Sequence, residues 1–344
     1  MPAPITTIPL HEAWAFCHDV LPLVSRTFAL NIPVLPGELR DSVCVAYLLC
    51  RIADTIEDCE TLSDTERADL YGALRRAVAG DPSADGRALA GEWADSSATG
   101  YARLVRNAPL VLAAFNSMPP AERVAIRDCV HEMIDGMQWL AGRGIEAGGV
   151  RFINDSLPQM DEYCHYVAGT VGVMLARLFD RAIDGESTLA SSEGRERGRR
   201  FGLGLQATNI IKDHADDVAR GVCFVPRDCC EVARGATRLT PAGRARLVAH
   251  ALSHLDEAML FVLEAPPTAD GIRLFCLWAL FLALGTLREA ARAGEASPKV
   301  SRAEVATILE RGRALVGDDG ALRSWFATSR REVVTALNGI GQEA

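Results

Sequence analysis

The sequence lacks several features that would place it in a common class of protein. Only 6% of its 344 residues are aromatic, and its formal net charge of -9 argues against a general nucleic-acid-binding protein. Its ten cysteines contain no CxxC pair and no metal-finger spacing, and adjacent cysteines such as Cys229 and Cys230 rarely bridge. This cysteine usage is typical of a reduced cytoplasmic protein.

Targeting and membrane-spanning signals are also missing. Residues 1–10 contain neither the basic nor the apolar region of a signal peptide. The most apolar run, residues 274–287, is shorter than the roughly 20 residues needed to cross a bilayer. We interpret it as a buried core helix and predict a cytoplasmic protein. Peripheral membrane contact near this helix is expected only if the ligand is a lipid.

Helical periodicity is what the chain does contain. The sequence is 49% hydrophobic, its apolar residues recur at helical spacing almost throughout, and no convincing β-alternation is found. The pattern, interrupted by Gly and Pro, predicts helices at residues 10–24, 37–59, 64–79, 100–115, 120–143, 158–180, 194–219, 241–264, 269–293, 302–314 and 319–337. We predict one all-α domain over residues 1–344, with a core of about residues 10–315 around a central cavity.

A polar stripe on the second predicted helix carries an acidic cluster. The stripe consists of Tyr47, Arg51, Asp54 and Asp58, with Glu57 beside it, and these spacings place the side chains on one helix face. An apolar stripe lies nearly opposite: Val45, Leu49, Ile52 and Ile56. A solvated face is the commoner explanation of such a stripe. Its small apolar flanks favour a functional role, because an exposed face would carry more charge.

A second acidic cluster ends a later predicted helix. Its stripe consists of Gln206, Asn209, Asp213 and Asp217, with Lys212 and Asp216 beside it. Amides in an apolar setting need partners and therefore predict a polar cavity wall. Gly202 and Gly204 each weaken the helix by about 1 kcal/mol relative to Ala. They would let a neighbouring helix or a ligand approach closely.

Taken together, the two clusters predict a metal site. Carboxylates facing each other would repel by about 1–4 kcal/mol per close pair. Magnesium would remove that cost and bind phosphate oxygens at the same time. We therefore expect the two rows to face each other across a cavity and to hold Mg²⁺ for a diphosphate. The candidate ligands are Asp54, Glu57, Asp58, Asp213, Asp216 and Asp217.

Five sequence blocks follow an order that is shared with a known family. They are residues 25–28, 37–47, 51–58, 163–172 and 206–213. Within about residues 14–302 the chain resembles the head-to-head prenyl synthases, the squalene and phytoene synthase family. Residues 163–169, 273–276 and 299–302 resemble the squalene synthase branch, and the missing C-terminal anchor resembles its bacterial members. Cys59 and Lys212 depart from the usual acid and arginine.

The resemblance implies an isoprenoid-synthase-type fold and a prenyltransferase reaction. Two farnesyl diphosphates would condense to presqualene diphosphate with Mg²⁺, and NADPH would then reduce this intermediate to squalene. The metal would favour departure of the diphosphate. Tyr163 would relay a proton or stabilise a cation. The catalytic candidates are Tyr163, Asp54, Asp58, Asp213 and Asp217.

Substrate and cofactor contacts are also implied by the resemblance. Candidate substrate contacts are Arg26, Phe28, Tyr47, Arg51, Val167, Ala168, Gly172, Leu203, Gln206, Asn209 and Phe275. The small residues after Tyr163 would leave room for a prenyl chain, although tight helix packing is a commoner explanation. The NADPH phosphates would contact Arg26, Arg51, Lys212, Lys299 and Arg302. No GxGxxG motif supports this cofactor, and Lys299 and Arg302 also fit an exposed basic turn.

Three other functions stay open from the sequence. A non-reducing family member would make phytoene, dehydrosqualene or presqualene diphosphate. A terpene cyclase would ionise one prenyl diphosphate and fold it on itself. A non-catalytic isoprenoid carrier would release no diphosphate, and the intact acidic clusters argue against it. Prenyl chain length and oligomeric state are not determined by the sequence.

One histidine pair falls outside these assignments. His250 and His254 have the i, i+4 spacing of helical metal ligands, but no HExxH glutamate accompanies them and no third ligand is evident. We therefore predict a surface pair.

Overall fold

The computed structural model describes residues 8–25, 27–81, 83–84, 86–90, 99–292 and 298–340. Almost all of the regular structure is helical. The α-helices in these ranges are α1 Leu10–Val24, α2 Phe28–Asn31, α3 Gly37–Asp58, α4 Asp64–Val78, α5 Gly100–Arg106, α6 Ala108–Ser117, α7 Pro120–Leu140, α8 Leu157–Cys164, α9 Thr170–Ala182, α10 Ser192–Ala219, α11 Pro241–Glu264, α12 Asp270–Arg292, α13 Arg302–Leu315 and α14 Asp319–Ile340. The all-α prediction is confirmed.

Two predicted helices are interrupted in the structure. The helix predicted at 100–115 divides into α5 and α6 at Asn107, because Pro109 has no N–H to continue the hydrogen-bond ladder. The helix predicted at 158–180 contains a π-helical turn, His165–Gly169, between α8 and α9. Its wider turn is not visible in a hydrophobic pattern.

Five short strands accompany the helices within the residues that the structure describes, although the sequence pattern indicated none. They are β1 Ile145–Ala147, β2 Val150–Phe152, β3 Val222–Cys223, β4 Cys230–Ala233 and β5 Ala236–Leu239. β1 pairs antiparallel with β2 and β4 with β5, and β2 pairs in parallel with β3. Gly148 and Gly149 have φ of +57° and +82°, as a two-residue hairpin turn requires. Strands of two to four residues are too short to show alternation.

The contacts of the chain group into two compact units, residues 1–138 and 139–344. In the first unit, α3 packs against α1, α4, α5 and α6. The predicted apolar stripe is fully buried there, because Val45, Leu49, Ile52 and Ile56 are all 0% exposed. A helix held on this many sides gives its polar residues fixed positions.

In the second unit, α10 packs against α9, the π-turn, α11 and α12. Glycines allow these helices to approach closely. A Cβ at Gly172 would lie 1.9 Å from the Gly198 carbonyl oxygen, and one at Gly202 would lie 2.2 Å from the Ala168 oxygen. Tight helix packing, the commoner explanation of the small residues, therefore accounts for Gly172 and Gly202.

The helix that contains the most apolar run of the sequence, α12, belongs to the core of the second unit. Among the described helices, α12 is the one long and apolar enough, by length and composition, to cross a membrane. However, 67% of its apolar 18-residue stretch is buried inside the protein, as in a core helix. Arg273 near its start is fully buried. It donates to the carbonyl oxygens of Ala265 and Val316 at 2.8 and 3.0 Å and to Asp319 Oδ1 at 2.7 Å.

Candidate active site

The first acidic cluster occupies the last turns of α3, which ends at Asp58. The C-terminus of a helix carries the negative end of its dipole, and no basic residue in this last turn offsets it. Burial raises the pKa of Asp54 to about 6, where Arg51 opposes the shift and Asp58 adds to it. Burial, followed by Asp54 and Asp58, raises the pKa of Glu57 to about 8. The ionised forms of these carboxyls are therefore disfavoured, and a bound cation would offset that cost.

A tethered arginine lies beside this cluster. Arg51 Nη1 is 3.2 Å from Asp54 Oδ2, and Arg51 Nε donates to the Tyr47 hydroxyl at 3.3 Å. Tyr47 in turn donates to the carbonyl oxygen of Val24 at 3.0 Å, and its ring centroid lies 5.0 Å from that of Phe28. The structure thus brings four predicted site residues of the first unit into one contact group.

Arg67 also belongs to this region, and sequence reasoning missed it. Its guanidinium donates to the carbonyl oxygens of Ile56 and Glu57, and to that of Cys59 at 3.0 Å. It therefore satisfies carbonyls that α3 leaves unpaired at its acidic end. The available signal was the capping box of Ser63 and Glu66, which starts α4 directly after α3 and places Arg67 in its first turns.

The second acidic cluster occupies the last turns of α10. Asp217 is 5% exposed and pairs with Arg220; burial raises the pKa of Asp217, and Arg220 opposes the shift. Lys212 Nζ lies 3.2 Å from both Asp213 Oδ2 and Asn209 Oδ1. Asp216 is exposed. As in α3, several carboxylates share the negative end of a helix.

The two predicted amides of α10 differ in burial. Gln206 is half-buried, whereas Asn209 is exposed within its unit. Asn209 therefore does not require a polar cavity wall, because an exposed amide can bond to water.

Tyr163 lies at the end of α8, directly before the π-turn. It is 8% exposed, and its ring centroid is 5.1 Å from that of Phe224. Extra-wide helical turns occur often at functional sites. Val167 and Ala168 are half-buried within the turn itself. The tyrosine that the sequence predicts to be catalytic is thus next to a π-helical turn.

The remaining predicted contacts have varied surroundings. Leu203 is buried, and Phe275 packs edge-on to Phe179 with centroids 5.7 Å apart. Lys299 and Arg302 are both exposed, and Arg302 begins α13. Arg26 lies outside the described residues.

The prediction that His250 and His254 form a surface pair is wrong. His254 is 5% exposed rather than superficial, and a third group, Asp161 of α8, joins the pair. His250 Nε2 and His254 Nε2 lie 2.7 and 3.3 Å from Asp161 Oδ1. Burial opposes ionisation of Asp161, but these hydrogen bonds outweigh it and lower the pKa of the carboxyl. The local sequence pattern did not indicate Asp161 as a third ligand, because this residue precedes His250 by 89 residues.

The structure therefore forms local groups of predicted residues within each unit. Tyr47, Arg51 and Asp54 meet in the first unit, and Lys212 meets Asp213 in the second. The expectation that the two acidic rows face each other stays a prediction, as do the roles of the individual residues.

The helical architecture defines an all-α protein, and each compact unit carries a carboxylate cluster at the end of a long helix. The family model described as squalene/phytoene synthase matches residues 21–307. The chain therefore belongs to the squalene/phytoene synthase family.

Individual relatives agree with this assignment. The chain is 35% identical over 210 residues to "Squalene synthase BSS" of Botryococcus braunii, covering 61% of this chain and 42% of that protein. It is 30% identical to "Inactive squalene synthase 2" of Arabidopsis thaliana, covering 81% and 65%. The matched parts thus span less than two thirds of these relatives. A solved ligand complex of TcSQS has the same fold, with a TM-score of 0.74 at 21% identity over 95% of this chain and 99% of that one.

Proposed function

We propose that this chain is a prenyltransferase of the squalene synthase type. It condenses two farnesyl diphosphates head to head into presqualene diphosphate in a Mg²⁺-dependent step and then reduces this intermediate to squalene with NADPH. The proposal places it in the cytoplasm, with peripheral membrane contact for product release.

The observation that carries the proposal is the position of the two acidic clusters. Each lies at the C-terminal end of a long helix, where the dipole and the neighbouring carboxylates all disfavour further negative charge. Burial is the largest cause of the raised pKa values of Asp54, Glu57 and Asp217, and neighbouring carboxylates add to it. A cation bound by these carboxylates would offset the cost of their negative charge.

The donor set fits magnesium. Carboxylate oxygens are the ligands this hard cation prefers, and it keeps part of its coordination shell for water and phosphate. Asp54, Glu57, Asp58, Asp213, Asp216 and Asp217 would hold it. When bound, it supplies positive charge to the departing diphosphate.

Positively charged side chains next to each cluster would orient the diphosphate. Arg51 is fixed by Asp54 and Tyr47, and Lys212 by Asp213 and Asn209, so both cations are already positioned near carboxylates. Because the two cations are held in place, little side-chain entropy is lost when phosphate oxygens bind.

Tyr163 would act on the reacting hydrocarbon. Its ring is buried against Phe224, where it is shielded from water, and a buried phenol can hold or return a proton. Shielding matters because water would quench a carbocation. Replacing Tyr163 by Phe should therefore slow condensation without preventing substrate binding.

Reduction by NADPH is the finer part of the proposal. Lys299 and Arg302 are exposed and available to phosphate groups, and Arg51 and Lys212 are the further candidates. One relative carries the name of an inactive squalene synthase. Turnover by this chain therefore has to be measured directly.

The test is incubation of the purified protein with farnesyl diphosphate and Mg²⁺, with and without NADPH, followed by mass spectrometry. Squalene formed only with NADPH, and presqualene diphosphate accumulating without it, are the expected results. Dehydrosqualene in both arms would identify a non-reducing synthase. Geranylgeranyl diphosphate as substrate tests for phytoene, and a cyclic hydrocarbon would identify a cyclase. No release of diphosphate would overturn the enzymatic proposal.

A further inference from the structure

Three side chains of types that commonly bind metals lie close together in the second unit. None of them belongs to either acidic cluster. Asp161 belongs to α8, and His250 and His254 stand one turn apart on the same face of α11. One ligand atom from each lies within 4.8 Å of the other two. The two imidazole rings are nearly perpendicular, at 86°, with centroids 4.7 Å apart.

The separations of these atoms resemble those around a small metal ion. In a tetrahedral site with metal–ligand bonds near 2.0 Å, neighbouring ligand atoms are about 3.3 Å apart. The two Nε2 atoms are separated by 3.2 Å, and His254 Nε2 is 3.3 Å from Asp161 Oδ1. The third separation, 2.7 Å between His250 Nε2 and Asp161 Oδ1, needs to widen by only about 0.6 Å to match.

Hydrogen bonds alone satisfy these three ligand atoms poorly. If both Nε2 atoms donate to Asp161 Oδ1, their N–H groups also face each other at 3.2 Å. If one Nε2 is unprotonated, that ring loses its bond to the carboxylate. The buried Nδ1 of His254 has no hydrogen-bond partner among the described residues, so the hydrogen bonds of this ring are made through Nε2. A cation at the centre would accept all three lone pairs at once.

Access and packing also suit an ion. The side chains of Asp161 and His250 are 28% and 22% exposed, whereas that of His254 is 6% exposed. An ion could therefore enter from one side and keep water in a fourth position. On the buried side α10 lies close to His254, because a Cβ at Gly204 would be 3.1 Å from His254 Cβ.

We propose that Asp161, His250 and His254 form a binding site for one transition-metal ion of the zinc type, with three protein ligands and an open fourth position. Two imidazoles and one carboxylate favour zinc or cobalt over magnesium, which distinguishes this site from the all-carboxylate clusters. The ion would join α11 to α8, the helix that carries Tyr163. The site does not depend on the proposed prenyltransferase activity.

Cobalt titration of the metal-stripped, full-length protein tests the site. Excess Mg²⁺ is present throughout to occupy the carboxylate clusters. We expect saturation at one Co²⁺ per chain, with the intense visible absorption of four-coordinate cobalt, and loss of this absorption when Zn²⁺ is added.

Ligand variants locate the signal. His250→Asn and Asp161→Asn should each weaken cobalt binding by at least about 100-fold, since loss of an outer partner alone costs 10–100-fold. The matched control is His18→Asn. His18 also pairs with a carboxylate, Asp41 at 3.0 Å, but it has no second imidazole as a hydrogen-bonding partner in the described part of the chain. This control should titrate like the wild type.

Thermal stability gives a second readout. Zn²⁺ should raise the Tm of the wild type and of His18→Asn but not that of His250→Asn, whose circular dichroism checks that it is folded. A wild type without stoichiometric four-coordinate cobalt absorption would overturn the proposal. So would a His250→Asn protein that keeps this absorption.

Discussion

At the scale of single residues, buried polar atoms without partners identify unusual local environments. Glu264, at the end of α11, is one example. Its Oε1 pairs with Arg197, but its buried Oε2 has no hydrogen-bond partner among the described residues. Burial raises its pKa, and Arg197 opposes the shift. The protonated carboxyl is thus more favoured in the folded protein than in the unfolded chain.

A Glu264→Gln substitution should remove a pH-dependent cost. An acid whose folded pKa is raised contributes stability below its unfolded pKa, near 4.3, and loses it as the pH rises through the folded value. The Tm of the variant relative to the wild type should therefore increase as the pH rises from about 4.3 through the folded-state pKa of Glu264. Differential scanning fluorimetry across this range checks it. A pH-independent difference would contradict the assignment.

At the scale of helices, close packing depends on glycines at particular positions. Gly172 of α9 faces Gly198 of α10 so closely that any side chain would overlap backbone atoms. Gly72 of α4 provides the contrast, because an added Cβ would meet only Arg76 Nη1, at 3.5 Å. The two glycines have the same helical setting and different neighbours.

Alanine substitutions should therefore have opposite effects at these two positions. Gly172→Ala should destabilise the protein by about 1–3 kcal/mol or more through overpacking. Gly72→Ala should be neutral or stabilise it by up to about 1 kcal/mol, because alanine favours helix. Chemical denaturation followed by circular dichroism measures both. Equal effects would show that the contact between α9 and α10 is not the cause.

The acidic end of α3 should depend on Arg67. Arg67→Gln would leave carbonyls of residues 56, 57 and 59 without their charged donor and should cost roughly 1.5–3 kcal/mol. Arg76→Gln, an exposed site on the same helix α4, is the control and should change stability little. If the two variants unfold at the same denaturant concentration, Arg67 does not stabilise this end.

The sequence predicts those features of the helices that depend on residues close together in the chain. Helical periodicity and breakers placed the ends of α1, α3 and α11 within one residue. The π-turn after Tyr163 changes hydrogen bonding without changing composition, so no periodic pattern reveals it. The contact of Asp161 with His254 joins helices distant in sequence, and only tertiary packing creates it.

At the scale of the whole molecule, the acidic clusters belong to different compact units, yet the proposed reaction requires both. Asp54 and Asp213 stand near the C-terminal ends of α3 and α10. The sequence identified both clusters, because their spacing is local. It could not determine their mutual arrangement, which depends on the packing of many helices.

Removing either carboxylate should abolish the reaction while the fold persists. Asp54→Asn and Asp213→Asn should each reduce squalene or presqualene diphosphate formation by at least about 100-fold, since charge stabilisation at a leaving group is worth that much. Asp69→Asn, an exposed aspartate on α4, is the control. Circular dichroism should be unchanged in all three variants. Near-normal turnover in either cluster variant would exclude that cluster from catalysis.

The π-turn His165–Gly169 fixes the rotational phase between Tyr163 and α9. A helix rotates by about 100° with each residue. If the glycine contacts between α9 and α10 stayed in place, loss of one residue from this turn would therefore rotate Tyr163 to a different side of the helix. Evolution can therefore exchange residue types in this segment more easily than it can change their number. Insertions and deletions should be rarer here than in the hairpin loops of the same unit.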